Sequence, residues 1–327
     1  MAPLLSILLA VLVDQLVGDP RGWPHPVQAM GVLIESYTKF FWKKLPNQRA
    51  VVDFGAGAVL ALGLVTGTIA LTQAIVAAGR SLHPSLGFSL ETGIIASCLA
   101  NRSLADAARS VLAVIDDLPT ARQVLSQYVG RDTASLNQIG IYRAVLETVT
   151  ENSTDAVMAP LLYAMVGNFW GMGASLAMGY KALSTLDSMV GYRQQPYTYL
   201  GRFSARWEDV MTWLPCRCHV LTLMILSGKP RAVWRICRRD APQDPSPNSG
   251  WSECVYAAIL GVRLGGINTY RGIAKAKPFL GDDRQPITTA TIHAALALTN
   301  RAILVWLAIY TVLQLWLQEV NTSQAAW

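Results

Sequence analysis

The sequence predicts a mainly α, polytopic integral membrane protein in which amphipathic helices and polar loops build an active site at the membrane interface. Three observations carry this. Hydrophobic residues make up 52% and charged residues only 15% of the 327, whereas a soluble globule carries about 25% charged residues. Twenty-six uncharged residues separate Asp53 from Arg80, more than the roughly 20 a helix needs to cross hydrocarbon. Apolar and polar residues rarely alternate over strand length, so helix is the expected element. No repeat of solenoid period is detected, and residues 1–327 read as a single membrane-embedded domain.

The elements follow in order. Residues 3–18 form a first apolar segment with no Lys or Arg ahead of it, no small-residue cleavage site behind it, and Asp14 inside it. It is a poor signal peptide and reads as a short or tilted span. The stretch GDPRGWPHPVQAMG, residues 18–31, carries three prolines that exclude regular helix and fix a rigid turn. Residues 54–79 are the clearest span. Residues 99–118 have helical apolar spacing up to Pro119, and a second helix is expected over 135–157. The 25 uncharged residues 156–180 make another span. Residues 210–228 are less apolar and include Pro215 and Arg217, which suits an interface or the wall of a polar cavity. Residues 245–251 are turn-forming and lead into an apolar helix. Residues 302–318 close the series, flanked by Arg301 and Glu319, which can snorkel to an interface.

The stretches Arg21–Arg49 and Lys229–Arg239 carry five basic residues each, so the positive-inside rule assigns both to the cytoplasm. A single crossing by 54–79 then puts residues 82–155 on the opposite side, unless part of that run is re-entrant. The net charge of +6 is scattered through loops rather than gathered on one aromatic-studded face, which argues against nucleic acid. Five cysteines without regular spacing do not suggest a disulfide framework. Cys216, Cys218 and His219 lie close together, but no second cluster completes a zinc site. Gly228 and Lys229 lack the glycine pattern of a phosphate loop, so any nucleotide site is non-standard.

Ionisable residues concentrate between Gly130 and Arg217. Glu147, Glu151 and Asp155 recur every four residues, one stripe of a helix. The stripe is either a solvated acidic face or a holder for magnesium, which takes one or two carboxylates while phosphates and water complete its shell. Its position beside an apolar run favours a site. Downstream come Ser184, Thr185, Asp187 and Ser188, then Gly191, Tyr192 and Arg193, then Arg202, Arg206, Glu208 and Asp209. Those alternating charges are either surface ion pairs or phosphate-binding arginines beside metal-binding acids. Arg131 and Asp132 sit in a compact Gly130–Thr133 turn where Asp132 is also a natural helix N-cap. His25, between two prolines, is held toward a ligand or satisfies a backbone group.

Together these stretches resemble the CobD/CbiB family of cobalamin biosynthesis, the adenosylcobinamide-phosphate synthases, over nearly the whole chain. The blocks are GDP and HPV near the start, GRDT at 130–133, ETVTENSTD at 147–155 and TLDSMVGYR at 185–193. They continue with WLPCR at 213–217, PSPNSGW at 245–251 and GVRLGG at 261–266. The chain departs at Ser184, where Asn is usual, at Ala156, where Gly is usual, and at Glu208, which replaces Asp. The resemblance implies ATP-dependent amide formation between adenosylcobyric acid and aminopropanol phosphate or a related amino alcohol. A carboxylate is a poor electrophile, and ATP converts it to a better one, such as an acyl phosphate. On this reading Glu147, Glu151 and Asp155 hold Mg²⁺, while Arg131, Asp132, Asn152, Arg193, Arg206 and Asn248 bind ATP. Asp187, Asp209 and His25 would carry the catalysis. The expected setting is a multi-pass protein in the lipid bilayer of the cell membrane, its site facing the cytoplasm, with other cobalamin-pathway enzymes as partners and no nucleic acid. The alternatives are a transporter and a non-catalytic scaffold for corrinoid enzymes.

Overall fold

The computed structural model describes residues 2–19, 22, 23, 25–44 and 49–325. Pro20, Arg21 and Pro24 of the early proline-rich turn lie outside the described residues. In chain order the helices are α1 (Ala2–Val17), α2 (Pro26–Lys44), α3 (Ala50–Leu82), α4 (Pro84–Cys98), α5 (Asn101–Leu112), α6 (Leu118–Leu125) and α7 (Gln138–Asn152). They continue with α8 (Ala159–Gly167), α9 (Gly173–Val190), α10 (Arg202–Leu226), α11 (Pro230–Asp240), α12 (Ser249–Leu260) and α13 (Thr289–Ala325). Between α12 and α13 lie two strands, β1 (Leu264–Tyr270) and β2 (Ile273–Leu280). Contacts divide the chain into two compact units: residues 1–100, 159–212 and 310–327, and residues 101–158 and 213–309.

Among the described residues, three helices are long and apolar enough to cross a membrane: Ala50–Leu82, Arg202–Leu226 and Thr289–Val320. The 33 residues of α3 extend about 50 Å at 1.5 Å per residue. Large apolar residues point outward along all three, among them Val59 and Leu71 on α3, Val210 and Ile225 on α10, and Leu304 and Val312 on α13. In water such surfaces would drive aggregation; in a bilayer they meet their solvent. The chain is therefore a mainly α membrane protein.

In the first unit α3 packs on α4 and α9, α1 on α4, and α2 on α9. Ile34, Phe41, Leu60, Leu186, Val190 and Leu200 form a buried cluster among them. Two helices here start the same way: His25 precedes Pro26 and His83 precedes Pro84, and each imidazole Nδ1 accepts the backbone N–H two residues on, at 3.2 Å. Proline has no N–H to satisfy at that first position, and the histidine satisfies the next. The apolar run 156–180 is not one straight helix. Its α8 and α9 parts fold back on each other around Gly171, whose φ of 69° is the left-handed turn that glycine takes without cost. Tyr163 stacks on Tyr180 across this hairpin with ring centroids 5.1 Å apart.

In the second unit α5 ends at Leu112 rather than running to Leu118, and Pro119 opens α6 instead of closing α5. The reason is that proline is as well suited to a helix's first turn as to its end. The Asn137 side chain caps α7 by accepting from Gly140 N at 2.8 Å. Helix α7 passes at Ser153–Met158 into a π-helical turn, in which each hydrogen bond spans one residue more than in an α-helix. β1 and β2 make an antiparallel hairpin whose turn residues, Arg271 and Gly272, have φ of 51° and 78°, as a two-residue hairpin loop requires. A bulge interrupts the register between Leu264 and Gly266. A Cβ at Gly265 would lie 1.9 Å from the Pro278 carbonyl oxygen, so only glycine fits there.

Candidate functional site

The residues singled out by sequence fall into separate polar clusters, one in the second unit and two in the first. In the second unit the Arg131 guanidinium meets the Glu147 carboxylate at 2.5 Å, with only 9% and 1% of their side chains exposed. Arg131 also donates to Asn268 Oδ1 at 3.1 Å, and Gly265 N–H donates to Glu147 Oε1 at 2.9 Å. These two side chains, expected to hold a nucleotide and a metal, therefore brace each other and the start of the hairpin. Asp132 is not a helix cap. Its carboxylate accepts the backbone N–H groups of Arg271 and Gly272 at 3.0 and 2.8 Å and so holds the hairpin turn.

Glu151 lies one turn further along α7. Burial raises its carboxyl above the ordinary glutamate range; Asp244 and Glu147 add to the rise, and Lys277 and Arg131 oppose it. Lys277, from β2, meets the fully buried Glu253 of α12 at 2.5 Å and approaches Asp244 at 4.0 Å. Glu253 is likewise raised, by burial first. For Lys277 burial alone would lower the ammonium, but Glu253, Glu151 and Glu147 outweigh it and hold it above its ordinary value. Four carboxylates, of Glu147, Glu151, Asp244 and Glu253, thus share the cations of Arg131 and Lys277 in a buried setting. Sequence reasoning missed Glu253, Asp244 and Lys277. The surplus of acids on an inward helix was the available signal, since buried carboxylates require cations or protons.

Asp155 belongs to the π-helical turn, off the α-helical register it would share with Glu147 and Glu151. Asn152 donates to the Thr148 carbonyl at 2.9 Å. Buried Asn248 precedes α12, and its carbonyl accepts from Cys216 Sγ at 3.4 Å and from Trp251 N–H at 3.0 Å. Among the described residues no three His, Cys, Asp or Glu side chains gather as a metal cage. Magnesium arriving with phosphates needs only one or two carboxylates. Glu147 already pairs with Arg131 and accepts from Gly265 N–H; Glu151 and Asp155 are the other two acids of the expected stripe.

In the first unit Arg193, Arg202 and Arg206 line a cavity of about 370 Å³ together with Tyr192, Tyr199 and Asp209. Arg193 is an electrostatic neighbour of Asp209, and Asp187 of Glu208. Glu208 is buried and accepts hydrogen bonds from Tyr180, at 3.3 Å, and from Thr212. Asp187 stands in the last turn of α9, where its carbonyl accepts from Gly191 N–H at 2.7 Å. Sequence brought out Arg193, Arg202, Arg206, Asp187 and Asp209, and the cavity gathers all of these except Asp187. His25 stands apart from this group. With its Nδ1 used as a cap, its Nε2 faces Asp19 at 3.3 Å at the edge of a larger cavity, about 600 Å³, lined also by Asp14, Gln28, Ser97 and Lys181.

Long helices with outward apolar faces, together with buried ionisable clusters, define a helical membrane protein. The chain belongs to the CobD/CbiB family: the family model described as CobD/Cbib protein matches residues 7–299. It is 46% identical to the cobalamin biosynthesis protein CobD of Synechocystis sp., over 93% of this chain and 90% of that one. It is 39% identical to the cobalamin biosynthesis protein CbiB of Salmonella arizonae, over 97% and 99%. With CobD of Photorhabdus laumondii the identity is 40%, over 94% and 96%. No solved structure matches the chain.

Proposed function

We propose that this protein acts in cobalamin biosynthesis as an ATP-dependent acid–amine ligase, joining a corrinoid carboxylate, that of adenosylcobyric acid, to aminopropanol phosphate or a related amino alcohol. The observation that carries the reading is the arginine-lined cavity beside Asp209. Three guanidiniums suit a phosphate dianion, and a carboxylate on the same wall suits an ammonium. A phosphorylated amine offers both charges at once.

When bound, ATP with Mg²⁺ supplies the activation that turns the acid into an electrophile. The chain's own residues position and neutralise. Arg193, Arg202 and Arg206 hold phosphate oxygens, and Asp209, with Asp187 nearby, orients the amine and accepts its proton. Glu151 and Asp155 are the carboxylates assigned to Mg²⁺, with Arg131 and Asp132 keeping the surrounding backbone in place. ATP chemistry calls for a cytoplasm-facing site.

The test uses purified protein alone. ATP should be consumed only when both adenosylcobyric acid and the amino alcohol are present, with an amide product formed in equal amount. ATP consumption with no dependence on the second substrate, or corrinoid uptake into liposomes without product, would sink the ligase reading in favour of transport. Absence of any turnover without an added pathway enzyme would favour a scaffold.

A further inference from the structure

Helix α11 has two unlike faces. Val233, Ile236 and Cys237 are buried where the helix packs on α12 and β2. Arg231, Trp234, Arg235 and Arg238 are all exposed and recur at i, i+3, i+4 and i+7, which aligns them on one stripe. Lys229 stands just ahead of them. Arg239, at the end of the helix, is tied to Asp240 and Asp282, but Arg231, Arg235 and Arg238 enter no ion pair among the described residues. The stripe borders an open groove of about 530 Å³. Trp234 stands in it, 46% exposed and backed by Trp251 at 5.5 Å, on whose other neighbour, Arg217, the guanidinium lies 4.7 Å from the ring.

Only residues 227–229 separate this helix from α10, which is long and apolar enough to cross a membrane. A basic face so close to the end of a span lies at headgroup level, where an aromatic ring is also at home.

We propose that the outer face of α11 binds the phosphates of anionic phospholipids, with Arg231, Arg235 and Arg238 taking the phosphate oxygens and Trp234 resting at the boundary between headgroup and acyl chain. Charge complementarity selects the occupant. Three guanidiniums without carboxylate partners repel one another until an anion joins them, and a lipid with net negative charge satisfies them where a zwitterionic one, carrying its own ammonium, does not. This lipid contact is independent of the ligase chemistry.

The test measures retained lipid by native mass spectrometry on the detergent-purified full chain, titrated with phosphatidylglycerol or phosphatidylcholine. The wild type should retain phosphatidylglycerol in preference to phosphatidylcholine. The triple variant Arg231→Gln/Arg235→Gln/Arg238→Gln should bind phosphatidylglycerol on the order of a hundredfold more weakly, from about fivefold per charge. The triple Lys variant should keep most of the binding, which separates loss of charge from loss of fold. Millimolar inorganic phosphate or ATP should leave the lipid in place. Equal retention of both lipids, wild-type affinity in the Gln variant, loss of binding in the Lys variant, or displacement of the lipid by ATP or phosphate would each overturn the assignment, the last by identifying a soluble phosphate as the occupant.

Discussion

Replacing Glu147 by alanine should cost stability before it costs chemistry. The carboxylate is 1% exposed and pairs at 2.5 Å with a guanidinium that is itself 9% exposed. Its removal leaves Arg131 buried with Asn268 as its remaining hydrogen-bond partner and strips Gly265 N–H of its acceptor. Breaking a buried pair from one side costs about 3–5 kcal/mol, a range that already absorbs most of the orphaned amide. Such a loss shifts the folded-to-unfolded ratio by about two to three and a half powers of ten. Glu147→Gln should recover part of it, because the amide oxygen can still accept from Gly265. The double variant Arg131→Met/Glu147→Gln should be less destabilised than the sum of its single changes by about 1–3 kcal/mol. Denaturant unfolding of the purified protein in detergent micelles, run alongside the turnover assay, measures all of this. An alanine variant that unfolds at the wild-type midpoint yet has lost activity would refute the bracing argument and return Glu147 to the reaction itself.

Three further outcomes are expected. Asp132→Ala removes the acceptor for two backbone amides at the hairpin turn, so hydrogen exchange at Arg271 and Gly272 should quicken by an amount equivalent to about 1–3 kcal/mol; unchanged protection would mean the turn holds itself. Arg202→Ala should raise KM for the phosphate-bearing substrate by roughly tenfold with kcat nearly constant, the signature of lost ground-state binding; a fall in kcat alone would place the arginine at the reacting atoms. Burial raises the Glu253 carboxyl, with Glu151 and Glu147 adding to it, so the folded state favours its protonated form. That contribution is complete below the ordinary glutamate value of about 4.3 and is lost as pH climbs through the raised value. Unfolding midpoints should therefore decline with rising pH over that window, and Glu253→Gln, still able to accept from Lys277, should flatten the decline. A Gln variant with the wild-type slope would point to another group.

The membrane helices were legible because hydrocarbon imposes a length and a composition that sequence displays directly. Residues 54–79 lie within α3 and 302–318 within α13, and most of 210–228 falls in α10, while 3–18 coincide nearly with α1, an apolar helix shorter than these spans. The fold-back of 156–180 was not legible in hydropathy, which records solvent preference and not direction; Gly171 marked the turn but resembles the other glycines of that run. The hairpin escaped because β2 is exposed from Ile273 to Ala276 and carries lysines among its apolar residues, so it shows no alternation of buried and solvated positions. In the separate polar clusters, Arg131 and Glu147, and Arg193 and Asp209, were visible in the sequence as ionisable residues in charged company. Lys277 and Glu253 were not, since their partnership joins a strand and a helix whose local patterns say nothing of each other. The stripe drawn through Glu147, Glu151 and Asp155 assumed uninterrupted α geometry, and the π-helical turn at Ser153–Met158 changes the register at its last member.

The bond from Gly265 to Glu147 spans 118 positions of sequence. A ribosome adding about 5–20 residues per second needs roughly 6–24 s to cover that distance. Throughout that interval α7 has been made, but the strand that engages its acidic side has not. Two-stranded hairpins are marginal by themselves, so the strand in turn depends on the waiting helix. Assembly of the second unit is thus timed by its last contributors, and a nascent chain halted before residue 265 would display unpaired acids where the finished protein has a closed interior.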